Sequence, residues 1–270
     1  MANNSAIEIA IKEKEAYENK FTEYVETLRA ISKERWPDKL QEMANFRKFP
    51  VETLEQVGIF YIGEMAELLV PEYLKDIKDF GVISPTNKKP IFHHRWVIPI
   101  YNEKRKVQNL VGYSPSADER YIYGTARYYR RRDTMYGLEN LHLAYELGYA
   151  VYVEGITDAI RLRSLGILNT FANCGTHASP FILAQLNRCE YGIIRIPDRD
   201  AAGNEAKKGW ITNRYITLNP SLKYKDIDEL LREDEGGAEW FMSYFNECVR
   251  ILKSMKHMGN TCPSMEITMI

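Results

Sequence analysis

The sequence predicts an α/β fold from residue 137 onward, a parallel sheet flanked by helices, preceded by a mixed α+β segment and an N-terminal helix. Three observations carry this. After Gly137, short apolar runs alternate with helical patterns of eight to eleven residues, the signature of a parallel, doubly wound sheet. Between Trp96 and Tyr113, two apolar runs flank the polar turn Asn102-Glu103-Lys104-Arg105, which reads as a hairpin. Before them, residues 6 to 35 repeat Ile7, Ile9, Ile11, Phe21, Tyr24, Val25 and Leu28 among Glu and Lys, a helical pattern ended by Trp36-Pro37.

The elements follow in order. Val51 to Val57 and Glu64 to Phe80 carry shorter helical patterns, the second interrupted by Pro71 and stopped by Gly81. Strands are expected at Trp96 to Ile100, Leu110 to Tyr113, Ala150 to Val153, Leu168 to Ala172, Tyr191 to Ile196 and Tyr215 to Leu218. Helices are expected at Leu138 to Leu147, Asp158 to Leu165, Pro180 to Arg188 and Gly203 to Trp210. Glu239 to Lys256 reads as a last helix. The chain divides into an N-terminal helical segment (1–44), a basic segment (45–136), the α/β unit (137–235) and a helical tail (236–270).

The 270 residues hold 36 Lys and Arg against 37 Asp and Glu, an ordinary balance for a folded chain. No run approaches the ~18 apolar residues of a membrane span, and the charged first 30 residues do not read as a secretory signal, so a cytoplasmic protein is expected. Cys174, Cys189, Cys248 and Cys262 are isolated, which argues against a zinc site and for reduced, mostly buried thiols. There is no G-x-x-x-x-G-K-[ST] loop, which excludes P-loop chemistry.

Ligands of an open parallel sheet bind outside the carboxyl ends of its strands. Glu154 follows the strand Ala150 to Val153, and Asp158 falls in the first turn of the next helix. Asp198 and Asp200 follow the strand ending at Ile196, so two strand ends bring four carboxylates to one edge. Unpaired carboxylates repel, and a hard cation such as Mg²⁺ relieves that repulsion while keeping waters for phosphate oxygens to replace. Asp226-Ile227-Asp228-Glu229 adds an acidic cluster at the same edge, readable also as an ordinary helix start. Gly175-Thr176 reads as a turn that admits a phosphate or simply turns the chain.

These residues carry a family resemblance. Glu154-Gly155 with Asp158, then Asp198-Arg199-Asp200-Ala201-Ala202-Gly203, resemble the TOPRIM signature of DnaG-type bacterial and phage primases. Tyr136-Gly137-Leu138 resembles the family's Y-G-L, Gly175-Thr176 its G-T-A turn, and Lys225-Asp226-Ile227-Asp228-Glu229 its K-D-P-D-E. Val97-Ile98-Pro99-Ile100 and the Val107 to Gly112 strand resemble the hairpin of the basic subdomain, and Pro50 to Gly63 resembles that subdomain's helical start. Residues 45 to 235 are covered.

The resemblance implies a TOPRIM catalytic domain behind a basic subdomain, and a DNA primase: a DNA-directed RNA polymerase making short RNA primers on single-stranded DNA for replication. It implies two-metal nucleotidyl transfer with Mg²⁺ or Mn²⁺ held by Glu154, Asp198 and Asp200, which are also the catalytic residues, Glu154 as general acid/base, with Asp158 a further, supporting residue of the metal site. It implies template or nucleotide contacts by Arg120, Tyr121, Arg130, Arg131 and Arg132, with Lys104, Arg105 and Lys106 of the basic hairpin. The implied partners are a single-stranded DNA template, ribonucleoside triphosphates, and a replicative helicase or a zinc-ribbon module in trans, with no membrane. The family's hairpin arginine is absent from Gly112-Tyr113-Ser114, and its K-Y-L-N-S asparagine is replaced by Tyr123. A TOPRIM nuclease and a non-catalytic replication or recombination accessory protein are the alternatives.

The near-neutral total conceals a division. Residues 88 to 132 hold eleven Lys or Arg against three acids, interleaved with Tyr121, Tyr123, Tyr128 and Tyr129. Residues 226 to 247 hold eight acids and one Arg. Arginine beside aromatic rings suits a single-stranded nucleic-acid track, where phosphates are paired and bases stacked.

Overall fold

The computed structural model describes residues 2–174, 180–199, 214–221, 223–256 and 264–269. Of the described apolar residues of helix α1 (Ala2–Arg35), the buried ones are the stripe Phe21, Tyr24, Val25 and Leu28, whose three- and four-residue steps put them on one face. Ile7, Ile9 and Ile11 are each more than half exposed. Steps of two cannot share a helical face, so this stretch of the repeat selects no buried side. After α2 (Lys39–Arg47), Lys48 turns left-handed at φ 53° and leads into α3 (Val51–Val57). The helix expected over Glu64 to Phe80 is two short 3₁₀ turns, Met65–Leu68 and Pro71–Tyr73, followed by further turns. Pro71 offers no backbone N–H and holds Val70 extended at ψ 121°, so the two turns cannot join.

The first sheet runs β1 (Phe60–Ile62), β2 (Arg95–Tyr101), β3 (Val107–Tyr113) and β4 (Tyr121–Tyr123), antiparallel in chain order. The predicted hairpin joins β2 to β3. The Asn102 side-chain oxygen accepts the backbone N–H of Lys104 and of Lys106, both at 2.9 Å.

The second sheet holds β5 (Met135–Tyr136), β6 (Tyr149–Val153), β7 (Thr170–Asn173), β8 (Gly192–Ile196), β9 (Tyr215–Asn219) and β10 (Ser264–Thr268), in the order β10-β9-β8-β6-β7-β5. All its pairings are parallel except that of β5 with β7. Chain order runs from β6 outward to β7, then back across to β8 on the other side of β6. The sheet therefore changes direction between β6 and β8. Side chains of β6 alternate between its faces: Val151 and Val153 pack with α5 (Ile156–Ser164), Ala150 and Tyr152 with α4 (Leu141–Leu147) and α6 (Pro180–Leu186).

The C-terminal residues do more than form the expected helical tail. Following α7 (Ile227–Glu233), α8 (Gly237–Met255) lays Phe241, Phe245, Cys248, Leu252 and Met255 on β8 and β9. β10 then pairs with β9 from Ser264↔Tyr215 to Thr268↔Asn219. One apolar cluster reaches from Met43, Phe49 and Leu54 through Ile98, Ile100 and Val111 to Val153, Ile194 and Phe241, joining both sheets. Cys174, Cys189 and Cys248 are buried and free, and burial pushes each thiol up to about 12. Among the described residues no helix is long and apolar enough to cross a membrane.

Candidate active site

The point where a doubly wound sheet changes direction leaves a crevice at its carboxyl edge, because the connections on its two sides leave on opposite faces. Here that point lies between β6 and β8. Val153 pairs with Ile196, so Glu154 and Asp198 emerge one and two residues past the same level of the sheet. Gly155 begins α5 with no room to spare: a Cβ there would meet the Asp158 Oδ2 at 2.3 Å. That close approach folds Asp158 back over the turn, where it is 5% exposed.

Asp158 accepts the backbone N–H of Asp228 at 3.0 Å. Burial holds its carboxyl well above the usual carboxylate range, and the charges of Asp226, Asp198 and Asp228 add to the shift. Asp226 caps α7, its side chain accepting the Glu229 N–H at 2.8 Å, while Glu229 accepts the Lys225 N–H at 2.6 Å. The Arg199 N–H in turn bonds the Lys225 carbonyl at 2.9 Å, tying the segment after β8 to the entry of α7. Asp228 is 3% exposed and meets Arg47 at 2.6 Å and Arg161 at 2.9 Å. The sequence-predicted Glu154, Asp158 and Asp198 thus share one edge, and Asp226 and Asp228 join them. Asp200, Gly175-Thr176 and the helix expected from Gly203 lie outside the described residues.

The donor set is all carboxylate oxygen, which suits a hard divalent cation, and the neighbouring negative charges that add to the effect of burial on Asp158 are what such an ion offsets. Among the described residues no group of three or more His, Cys, Asp or Glu side chains is arranged to hold a metal ion.

The basic residues divide. The Arg131 guanidinium lies 3.6 Å from the Tyr123 ring centroid, and its Nε donates to the Cys174 carbonyl at the end of β7. Tyr123, Tyr129, Arg130 and Arg131 line a cleft of about 560 Å³ beside β4. Arg120, Arg130 and Arg132 are exposed. Tyr121 points inward instead: its hydroxyl is 3.3 Å from the Thr157 Oγ1, next to Asp158, and its ring packs 5.1 Å from that of Tyr113. Lys104, Arg105 and Lys106 are not brought to the acidic edge. They cap the far end of the β2–β3 ribbon, roughly 20 Å along β3 from Tyr113 at ~3.4 Å per residue.

Sequence reasoning missed Arg195. It sits in β8 opposite Tyr152, is 1% exposed, and places Nη2 3.6 Å from the Glu154 Oε1. Its signal is a lone charge in the otherwise apolar run Ile193 to Ile196, and it supplies a fixed positive charge under Glu154.

The fold has clear relatives. A DnaG primase catalytic domain bound to single-stranded DNA superposes with a TM-score of 0.70, covering 90% of this chain and 84% of that one at 18% identity. This is the fold of a DnaG primase catalytic core. The zinc-binding and RNA polymerase domains of the Aquifex aeolicus primase match the same core at a TM-score of 0.72, with 22% identity over 90% of this chain and 66% of that one. In sequence, the chain is 24% identical to the DNA primase of Thermotoga maritima over 233 residues, 80% of this chain and 41% of the relative. It is 31% identical to the Aquifex aeolicus DNA primase over 137 residues, 48% of this chain and 28% of the relative. The chain therefore spans less than half the length of these curated relatives. No family model matches the sequence. In this fold the carboxylates lie where an open sheet binds its ligands, and Arg131 links Tyr123 of β4 to the Cys174 carbonyl at the end of β7.

Proposed function

We propose that the chain is a DNA primase catalytic core that copies single-stranded DNA into short RNA primers from ribonucleoside triphosphates. The observation that carries this reading is the gathering of Glu154, Asp158, Asp198 and Asp226 at the crevice between β6 and β8. Mg²⁺ or Mn²⁺ bound there would neutralise the triphosphate and favour displacement at its α-phosphorus. Asp198, with Asp200, would hold the ion, and Asp158 and Asp226 would support it from behind. Glu154, steadied by Arg195 3.6 Å away, would take the proton of an attacking ribose 3′-hydroxyl. The new bond joins that oxygen to the α-phosphorus, and pyrophosphate leaves. Catalysis of this kind is mostly positioning and charge neutralisation, which an edge of fixed carboxylates supplies. Arg120, Arg130, Arg131 and Arg132 would pair phosphates of the template or nucleotide. A helicase or a zinc-ribbon module in trans belongs to the same reading.

The test is an incubation with single-stranded DNA, labelled ribonucleotides and Mg²⁺ or Mn²⁺. New short RNA is expected from the wild type, and Asp198→Ala should reduce it below detection while leaving the fold and DNA binding intact. Shortened DNA would identify a TOPRIM nuclease instead. Full primer yield from Asp198→Ala would remove the assignment of the site.

A further inference from the structure

The chemistry proposed above leaves Arg161 on α5 without a task, although it is only 4% exposed. Its Nε donates to the Asp228 Oδ1 at 2.9 Å, its Nη1 to the Lys48 carbonyl at 2.7 Å, and its Nη2 to the Arg47 carbonyl. The guanidinium lies 4.1 Å from the Phe49 ring centroid. One planar group thus joins α5 to α7 and to the connection between α2 and α3. The left-handed turn at Lys48 ends α2 just where its carbonyl and that of Arg47 reach the guanidinium.

Charge alone does not call for Arg161. Asp228 already has Arg47, whose Nη2 is 2.6 Å from its Oδ2, so the carboxylate is neutralised without a second cation. What Arg161 adds is direction. A guanidinium presents five donors in a rigid fork, and three of them here tie two segments, the start of α7 and the end of α2, to α5. The fixed segment includes the first turn of α7. There the Asp228 N–H bonds Asp158 and Asp226 forms the cap. Shifting that turn moves Asp226 relative to Asp198 and withdraws from Asp158, on α5, the N–H that orients its carboxyl.

We propose that Arg161 is a positioning residue of the acidic edge, pinning the first turn of α7 so that Asp158 and Asp226 face Asp198 in a cation-binding arrangement. This rests on the edge being the divalent-cation site of the proposed nucleotidyl transfer. The experiment measures Mn²⁺ binding to the full chain by electron paramagnetic resonance of the free ion. The edge contribution is defined as the binding lost in Asp198→Ala. Arg161→Lys keeps the charge and loses the fork; Arg161→Met loses both. Both variants should weaken edge binding by about tenfold, the lower end of what losing an outer-shell partner costs. Circular dichroism should stay that of the wild type, with melting above the assay temperature.

Wild-type Mn²⁺ affinity in Arg161→Lys would overturn the proposal, leaving a charge effect if Arg161→Met alone is weakened and a packing role if neither is. Arg161→Lys carries the test if Arg161→Met does not fold. Primer synthesis by the wild type is measured separately. A wild type that binds Mn²⁺ at the edge yet makes no RNA overturns the primase reading and leaves the role of Arg161 intact. A wild type that primes, beside an Arg161→Lys with normal Mn²⁺ affinity, overturns the role of Arg161 alone.

Discussion

Asp158 is a carboxyl that resists ionising where it stands. Burial is the first cause, and Asp226, Asp198 and Asp228 face it with further negative charge, opposed by the Asp228 N–H. Its folded pKa lies above the unfolded value of ~3.9. The folded chain therefore binds the proton more tightly than the unfolded one. Stability is unaffected below the unfolded value and falls as pH rises from there through the folded value. Asp158→Asn keeps an oxygen for the Asp228 N–H and removes that loss. In metal-free protein it should be more stable than the wild type, by a margin that widens above about pH 4 at up to ~1.4 kcal/mol per pH unit. Denaturant melts across that range measure the margin, and one that does not change with pH would contradict this account. Asp158 was legible in the sequence because strand ends and helix starts can be read locally. Arg161 and Arg195 were not, since their partners Asp228 and Glu154 are brought to them only by the crossovers of the sheet.

At the scale of elements, the alternation of short apolar runs with helices located β6, α5, β7, α6, β8 and β9 to within about two residues, because each has a clear local period and the strands are buried on both faces. The misreadings have particular causes. The pattern from Glu64 to Phe80 has helical spacing, yet Pro71 breaks it, and Phe80 is held instead by stacking on Phe21 at 4.7 Å between centroids. β10 has little apolar signal because it lies at the sheet edge and is mostly exposed; only its pairing with β9 defines it. Removing residues 264–270 would strip the outer edge from β9 and take away Met269, which is 1% exposed. That truncation should cost about 2 kcal/mol, the burial of one such side chain, read as a shift of the urea midpoint with unchanged secondary structure elsewhere. An unmoved midpoint would mean that β10 is not held to the sheet in solution.

Across the whole molecule, the near-zero net charge separates into a basic stretch of chain and an acidic edge, but the basic block is not all available. Arg95 is engaged by the carbonyls of Glu119 and Arg120, Arg127 by Asp79 at 3.0 Å, and Lys104 by Glu15 at 3.4 Å. Arg120 and Arg130 are exposed and carry no ion pair among the described residues. Single-stranded DNA binding should weaken steeply with salt. Arg120→Ala and Arg130→Ala should each reduce the slope of log K against log salt by about 0.7, the value for one phosphate contact on a single strand. Anisotropy titrations over a salt series give that slope, and a flat wild-type response would rule out the phosphate track.

The apolar cluster that runs unbroken from Met43 and Phe49 to Val153 and Phe241 bears on how this molecule divides. A cut near residue 137 looks natural in the sequence, but it would slice through a single shared interior. The acidic edge would lose Arg47 beneath Asp228 and Tyr121 beside Thr157, both of which come from the preceding unit. The α/β half is not a unit that can be transplanted alone; its graft must bring the preceding helices and the small antiparallel sheet along.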